Sequence, residues 1–315
     1  MSPQTITDDV LEAFMSFSAD SLRELHAVGC SGVTDRSIKA ACILCPSLRH
    51  IDLRRTSVTE QGIMLLGKKQ RRLESVWLSG TESVTDFSVT RLVLSLKSLS
   101  DLRLRNCNKL SDDALVPLIQ KTSLQVLDLG GLSSLSEEAL VRLVRTSSRL
   151  THLNLSRCSL VGSDLVWNIG PRVSVRLKSA SDEEDEDGDS QGGCGDDKAC
   201  DSWEDLSDTV EMHRTLGLPY LRALSLAKCC LVTDSGLSRV SQCLQLEELD
   251  ISDCERVTDS SVMSILKACS LRALVLRGCK GLTDGTLQAI CPPLESAIFC
   301  SAWRRFGSPS WRWCI

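Results

Sequence analysis

Aromatic side chains are scarce in this 315-residue chain: five Phe, six Trp and one Tyr make up 4% of it. Proteins that hold nucleic acid by stacking bases need exposed rings beside their cations, so that class is not expected. No apolar run approaches the ~20 residues of a membrane-spanning helix. The opening Met1-Ser-Pro-Gln-Thr-Ile-Thr-Asp-Asp-Val10 has neither a basic n-region nor an apolar h-region, so a secretory signal is not expected either. Catalytic signatures are missing as well: there is no phosphate-cradling Gly loop, no G-x-S-x-G and no H-E-x-x-H. The Asp-rich residues 182–189 lack the Gly and Glu places of an EF-hand loop. No acid–base or nucleophile set converges, which leaves no expectation of an enzyme.

What the chain does have is a period. The pattern Leu-x-x-Leu-x-Leu, with Ile or Val in some Leu places, opens at Leu22, Leu48, Leu73, Leu99, Leu124, Leu150, Leu221, Leu246 and Leu271. The steps are 26, 25, 26, 25, 26, 71, 25 and 25 residues. A fixed period of this size means stacked supersecondary units. Within a unit such as Leu99-Ser-Asp-Leu102-Arg-Leu104, Leu alternates with polar residues, as in a short strand with one buried face. Ser111-Asp112 then opens an apolar-periodic stretch, Ala114, Leu115, Leu118, Ile119, that predicts a helix. Ser or Thr followed by an acid recurs at all nine such places: Thr34, Thr59, Thr85, Ser111, Ser136, Ser163, Thr233, Thr258 and Thr283. The hydroxyl can accept from the orphan N–H groups of the first turn, and the acid favours the positive helix end.

Three residues after the last strand Leu stands Cys in six units (Cys30, Cys107, Cys158, Cys229, Cys254, Cys279) and Thr56, Thr81 or Leu132 in the others. A second place before the next strand holds Cys45, Cys243, Cys269 and Cys291. These account for ten of the sixteen cysteines, so they read as small buried residues with reduced thiols and not as a disulfide framework. Reduced thiols place the chain in cytoplasm, nucleus or both. Cys42-Ile-Leu-Cys45 has no second pair to complete a zinc site.

The period, the Cys after the strand and the Thr-Asp helix start resemble the cysteine-containing leucine-rich repeats of F-box/LRR proteins and the related antagonist-of-mitotic-exit-network family. The resemblance covers about residues 6–170 and 218–298. It implies an α/β leucine-rich-repeat solenoid: a right-handed horseshoe with parallel strands on the concave face and helices on the convex face. It also implies a non-catalytic protein-interaction module, a substrate-recognition or adaptor component of ubiquitin-dependent degradation, with cullin-RING ligase components as candidate partners. Here the chain departs from the family. Only about twenty residues precede Leu22, about half of what an F-box needs, so no F-box is expected in this chain and direct docking through one is not carried over. Ile6–Leu11 reads as the helix-opening half of a partial repeat. The alternative is a scaffold subunit of a cytoskeletal or ciliary assembly, where related repeats also serve.

The domains follow from the steps: six repeats with the partial one over 1–170, an insertion over 171–217, three repeats over 218–298, and an irregular aromatic and basic tail over 299–315 that follows a tenth strand begun at Leu294. Residues 181–211 hold fourteen acids and one base, Lys198, so this stretch carries about −13 and the rest about +8 of the total −5. Such a stretch buries too little apolar surface to fold and is expected to be disordered.

Outward strand residues stack in columns on the concave face, and they name the expected binding centre: Trp77 with Arg54, Arg103, Arg105, His50 and Asp101. A large aromatic on a solvated strand face is costly unless covered, and Trp and Arg dominate interface hot spots. His26 shares a column with Asp52, and Glu24 with His50, but an open sheet face seldom closes a four-ligand site. No metal or other cofactor is expected, and neither nucleic acid nor membrane, since the cations are scattered and the acidic stretch would repel.

Overall fold

The structure, a computed structural model, describes residues 6–173, 215–286 and 312–314. Nine three-residue strands mark the nine repeats. They are β1 Glu24–His26, β2 His50–Asp52, β3 Ser75–Trp77, β4 Asp101–Arg103, β5 Val126–Asp128, β6 His152–Asn154, β9 Ala223–Ser225, β10 Glu248–Asp250 and β11 Ala273–Val275. All pair in parallel with their sequence neighbours, so the sheet runs β1 to β6 and then β9 to β11 in chain order. Helices connect them: α1 Asp8–Ser18 ahead of β1, then α2 Asp35–Leu44, α3 Glu60–Lys69, α4 Asp86–Ser95, α5 Leu115–Ile119, α6 Glu137–Thr146, α7 Ser163–Ile169, α8 Asp234–Leu237 and α9 Asp259–Ala268. This is the leucine-rich-repeat solenoid that the period implies.

The core is a continuous slab rather than a ball. The central strand residue of each repeat (Leu25, Ile51, Val76, Leu102, Leu127, Leu153, Leu224, Leu249, Leu274) lies between the opening Leu and the apolar helix face, at most 4% exposed. Each repeat buries its face only against its neighbours, so the energetics are those of a one-dimensional stack.

Three polar ladders fix the register of that stack. The first lies at the helix starts. Thr34, Thr59, Thr85, Ser111, Ser136 and Thr258 accept from first-turn N–H groups. The acid beside each does more than favour the helix dipole: it reaches the helix start of the next repeat. Asp8 accepts from Thr34 N at 2.9 Å and Thr34 Oγ1 at 2.6 Å. Asp86 does the same for Ser111 at 2.8 and 2.7 Å, and Asp234 for Thr258 N at 2.9 Å and Ser261 Oγ at 2.5 Å. Glu137 accepts from Gly162 N and Leu165 N. Ser163 departs from the expectation. The residue capping α7 is Gly162, so Ser163 falls one place later, where other repeats have the acid, and its hydroxyl meets Thr233 Oγ1 at 2.6 Å. Thr233 in turn makes no side-chain cap. The ladder thus spans the 70 residues between the two repeats with a hydroxyl pair in place of a carboxylate.

A pH dependence follows. Burial alone would raise Asp8, Asp52 and Asp234, but hydrogen bonds from Ser37 and Thr34, from Arg54, and from Ser261 and Thr258 hold each below the ordinary carboxylate value. Hydrogen bonds from Thr283 and Thr286 do the same for Asp259. On acidification the unfolded chain therefore takes up these protons first. Their contribution is complete above about pH 4 and is lost as pH falls through the lower folded-state values. Asp128, raised by burial, works in the opposite sense, one group against four. The urea midpoint is expected to slip as pH falls through 6.5, where His50, held low in the folded chain, takes its proton first on unfolding, and to drop more steeply below pH 4; a midpoint that rises on acidification would refute the ladder's role.

The second ladder is the cysteine column. The Sγ of Cys107, Cys158, Cys229, Cys254 and Cys279 donates to the last strand Leu or Ile carbonyl of the preceding repeat, at 3.1 to 3.3 Å. Thr81 Oγ1 makes the same bond to Leu53 O at 3.0 Å. In eight of the nine repeats the place holds Cys or Thr, a small side chain with a donor; Leu132 fills it without one in the fifth. The eleven cysteines from Cys30 to Cys279 whose side chains are described are free. Burial pushes the Cys229, Cys243 and Cys254 thiols up to about 12. Their thiolate fraction at neutral pH is therefore negligible. Native protein treated with iodoacetamide at pH 8 should leave these three unmodified by peptide mass mapping, whereas exposed Cys230 should be labelled.

The third is a left-handed turn after every strand. Its residue is Gly29, Gly80, Gly131 or Gly278 in four repeats and Arg55, Asn106, Arg157, Lys228 or Asp253 in five, all with φ between 54° and 76°. Each non-Gly residue there costs about 1–2 kcal/mol. Backbone bonds on both sides hold it, as Arg55 N to Ser79 O at 3.2 Å and Thr56 N to Leu53 O at 3.3 Å.

At the insertion, β7 Arg172–Val173 and β8 Thr215–Leu216 pair antiparallel and bring its two ends together. The acidic stretch expected to be disordered lies outside the described residues, as do Leu294–Phe299, the expected tenth strand. Among the described residues the strand that follows β11 is β12 Arg312–Cys314, in parallel with Leu274 opposite Trp313. Part of the 299–315 tail, expected to be irregular, thus extends the sheet.

Candidate functional site

Strand alternation buries the middle residue of each triplet and turns its neighbours outward. The observed registers stack His26, Asp52, Trp77, Arg103 and Asp128 in one column, and Glu24, His50, Ser75 and Asp101 in the next. Five of the six residues expected at the binding centre meet there. Trp77 Nε1 donates to Asp101 Oδ2 at 3.0 Å. The Arg103 guanidinium lies 3.9 Å from the centroid of the indole and that of Arg54 4.8 Å. The His50 ring meets the indole edge-on at 4.5 Å, and His26 lies 4.7 Å from His50. Each desolvated cation–π contact is worth about 0.5–2 kcal/mol.

The arginines are already spoken for. Arg54 forks Asp52, with Nε at 2.9 and 3.1 Å from its two oxygens and Nη2 at 2.7 Å. Asp52 is buried despite its outward place, because Arg54 and His26 (Nδ1 at 3.7 Å) lie over it. Arg103 contacts Asp101 through Nε at 3.1 Å and Nη2 at 3.2 Å. Two guanidiniums against two carboxylates make the patch close to neutral. His50 agrees with this: burial first, then neighbouring His26, hold it below its ordinary value against the pull of Glu24, Asp101 and Asp52. It is a neutral ring at pH 7, and its buried Nε2 has no hydrogen-bond partner among the described residues.

Arg105 is the member that the structure sets apart. Among the described residues it makes no contact with the indole, and its charge acts on Asp128, where it opposes the rise that burial imposes. Asp52 and His26 are the members the sequence reading did not include. Their shared register place was visible, but only as a metal pair. Among the described residues no three His, Cys, Asp or Glu side chains group as metal ligands. Farther along the concave face, a depression of about 330 Å³ has small residues, Ala223 and Ser225, in its lining, along with Asp128, His152, Glu248 and Asp250.

The model of the leucine-rich-repeat family matches residues 217–241 and 242–266. The F-box protein SKIP28 of Arabidopsis thaliana is 28% identical over 123 residues, 38% of this chain and 42% of that protein. The chain thus matches less than half the length of this relative. Among solved structures, the yeast Rad7 and Elc1 complex contains a similar chain, with TM-score 0.56 and 18% identity over 90% of this chain and 70% of that one. Internalin C2 of Listeria monocytogenes aligns with TM-score 0.51 and 16% identity over 87% of this chain and 93% of its own. Both likenesses concern the fold.

Proposed function

We propose that this leucine-rich-repeat solenoid, similar over part of its length to an F-box protein, is a non-catalytic interaction module that recognises a protein partner on its concave face. Its role would be substrate recognition or adaptation in ubiquitin-dependent degradation. One observation carries the site: Trp77 is a partly exposed indole contacted by two arginines, from the strands before and after its own, whose charges are neutralised. The ring is rigid and pre-organised, so little side-chain entropy is lost when a partner covers it. A neutral aromatic centre selects a planar or apolar anchor rather than a phosphate, which further disfavours nucleic acid.

The degradation role is supported by the partial likeness to an F-box protein and by no feature of the concave face itself. The free thiols fit a reducing compartment, cytoplasm or nucleus. Affinity purification of the tagged chain from cells, with proteins identified by mass spectrometry, tests both parts. A cullin-RING adaptor among the captured proteins is expected. A stable set of captured proteins without any ubiquitin-ligase component, or one dominated by cytoskeletal or ciliary subunits, would remove the degradation role and leave the interaction module.

A further inference from the structure

We propose that a cleft on the rim of the solenoid, where the sixth and seventh repeats meet, receives a phosphorylated side chain of the partner protein; this deepens the interaction reading above and rests on it. Arg149 and Tyr220 stand just before the opening Leu of these two repeats, and Thr151 and Arg222 just after it. Although 71 residues separate them in sequence, β6 pairs with β9, and Arg222 N donates to Thr151 O at 2.7 Å. The cleft, of about 420 Å³, is lined by these four side chains, His152 and two glutamines. Every lining side chain can donate a hydrogen bond and none is acidic.

The contrast with the concave centre is in charge. Arg54 and Arg103 are neutralised, whereas Arg149 has no carboxylate partner among the described residues. Arg222 lies 3.8 Å from Glu247, which Arg272 also contacts at 3.3 Å. Arg222 therefore shares its one carboxylate with a second arginine, and Arg149 adds an uncompensated charge beside it. Thr151 Oγ1 donates to Gln125 O at 3.0 Å and so accepts from His152 Nδ1 at 2.8 Å, which leaves the arginines and the phenol as the donors open to a ligand. Two guanidinium forks and a phenol offer more donors than the two oxygens of a carboxylate can use. They suit the three oxygens and near-double charge of a phosphoryl group. His152 also lines the concave depression, so a segment lying along the sheet reaches the cleft without leaving the face.

The test uses the full chain and two degenerate peptide libraries, Xaa4-phosphoserine-Xaa4 and Xaa4-Ser-Xaa4, with affinity read by fluorescence polarisation at 0.15 M salt. The phosphorylated library is expected to bind at least tenfold more tightly. The double variant R149Q/R222Q, whose substitutions lie on exposed side chains, should reduce that ratio below twofold without moving the thermal midpoint. Trp77→Ala should leave the ratio intact, and inorganic phosphate, unlike chloride at equal ionic strength, should compete in the wild type only. Equal binding of both libraries, or a preference that survives R149Q/R222Q, overturns the assignment. So does a preference that emerges only when residues 182–211 are replaced by a Gly/Ser stretch of equal length, since the cleft then serves the chain's own acidic segment. If proteins captured from cells survive Trp77→Ala while the phosphate ratio depends on Arg149 and Arg222, the concave-centre reading fails and the cleft stands.

Discussion

Replacing Trp77 by alanine is expected to weaken partner binding by roughly 30-fold or more, the ~2 kcal/mol or greater cost of truncating a central aromatic anchor. The change should do little to the fold. Trp77 is not part of the buried core, and its removal strands no charge: Arg103 keeps Asp101 at 3.1 Å and Arg54 keeps Asp52. What disappears is the surface itself, the indole that two guanidiniums and His50 were holding in place. Trp77→Phe should lose less, since it keeps a ring but gives up the bond from Nε1 to Asp101, worth about 0.5–1.5 kcal/mol. Loss of the indole also opens His50 to water, so its titration, followed by NMR of the imidazole, should move up toward the ordinary value. Isothermal titration with a protein captured from cells separates these outcomes. An unchanged Kd for Trp77→Ala, with His50 titrating higher as expected, would show that the patch is altered and is not the contact.

Much of this site could be read in the sequence because the repeat does the geometric work. Once Leu73-x-x-Val76-x-Leu78 is aligned with its neighbours, strand alternation sets Trp77 outward, and the stacking of columns sets Asp101 and Arg103 beside it. The charge balance could not be read in the same way. The pairings of Arg54 with Asp52 and of Arg103 with Asp101 run two residues along one strand, and rotamers decide whether such a pair closes or reaches outward. Arg105 shows the same limit: strand stacking puts it on a sheet side adjacent to Trp77, but that its charge acts on Asp128 is visible only in the structure. The helix-start acids were legible as caps, yet their larger role spans repeats, as with Asp234 and Thr258, and needed the distance between turns. Arg149 and Tyr220 escaped notice because the insertion puts 71 residues between places that the sheet makes adjacent. The tail was unreadable for the opposite reason: Arg312–Cys314 has no period of its own and joins the sheet only because β11 offers an open edge.

Leu102→Ala is expected to cost about 2–5 kcal/mol, and the form of the loss matters more than its size. Leu102 is fully buried at the middle of β4, with Val76 and Leu127 beside it in register. In a globular core such a cavity is shared among neighbours from all over the chain. Here the neighbours are only the third and fifth repeats, so the cavity weakens the two interfaces that join the first three repeats to the rest. The thermal midpoint should fall by roughly 5–15 °C. The urea transition should also broaden or split, because two blocks that unfolded together can now unfold in turn. Leu25→Ala at the first strand removes a side chain of the same kind with a neighbouring strand on one side only, and should shift the midpoint less and leave a single sharp transition. Hydrogen exchange would locate the break: in Leu102→Ala the amides of β1 to β3 and those of β6 to β11 should acquire different opening energies. If Leu102→Ala instead lowers the midpoint with one undiminished transition and uniform exchange, coupling along the stack is stronger than nearest-neighbour packing allows. The helix-start ladder and the backbone bonds of the left-handed turns, which cross every junction, would then be carrying cooperativity attributed here to the leucines.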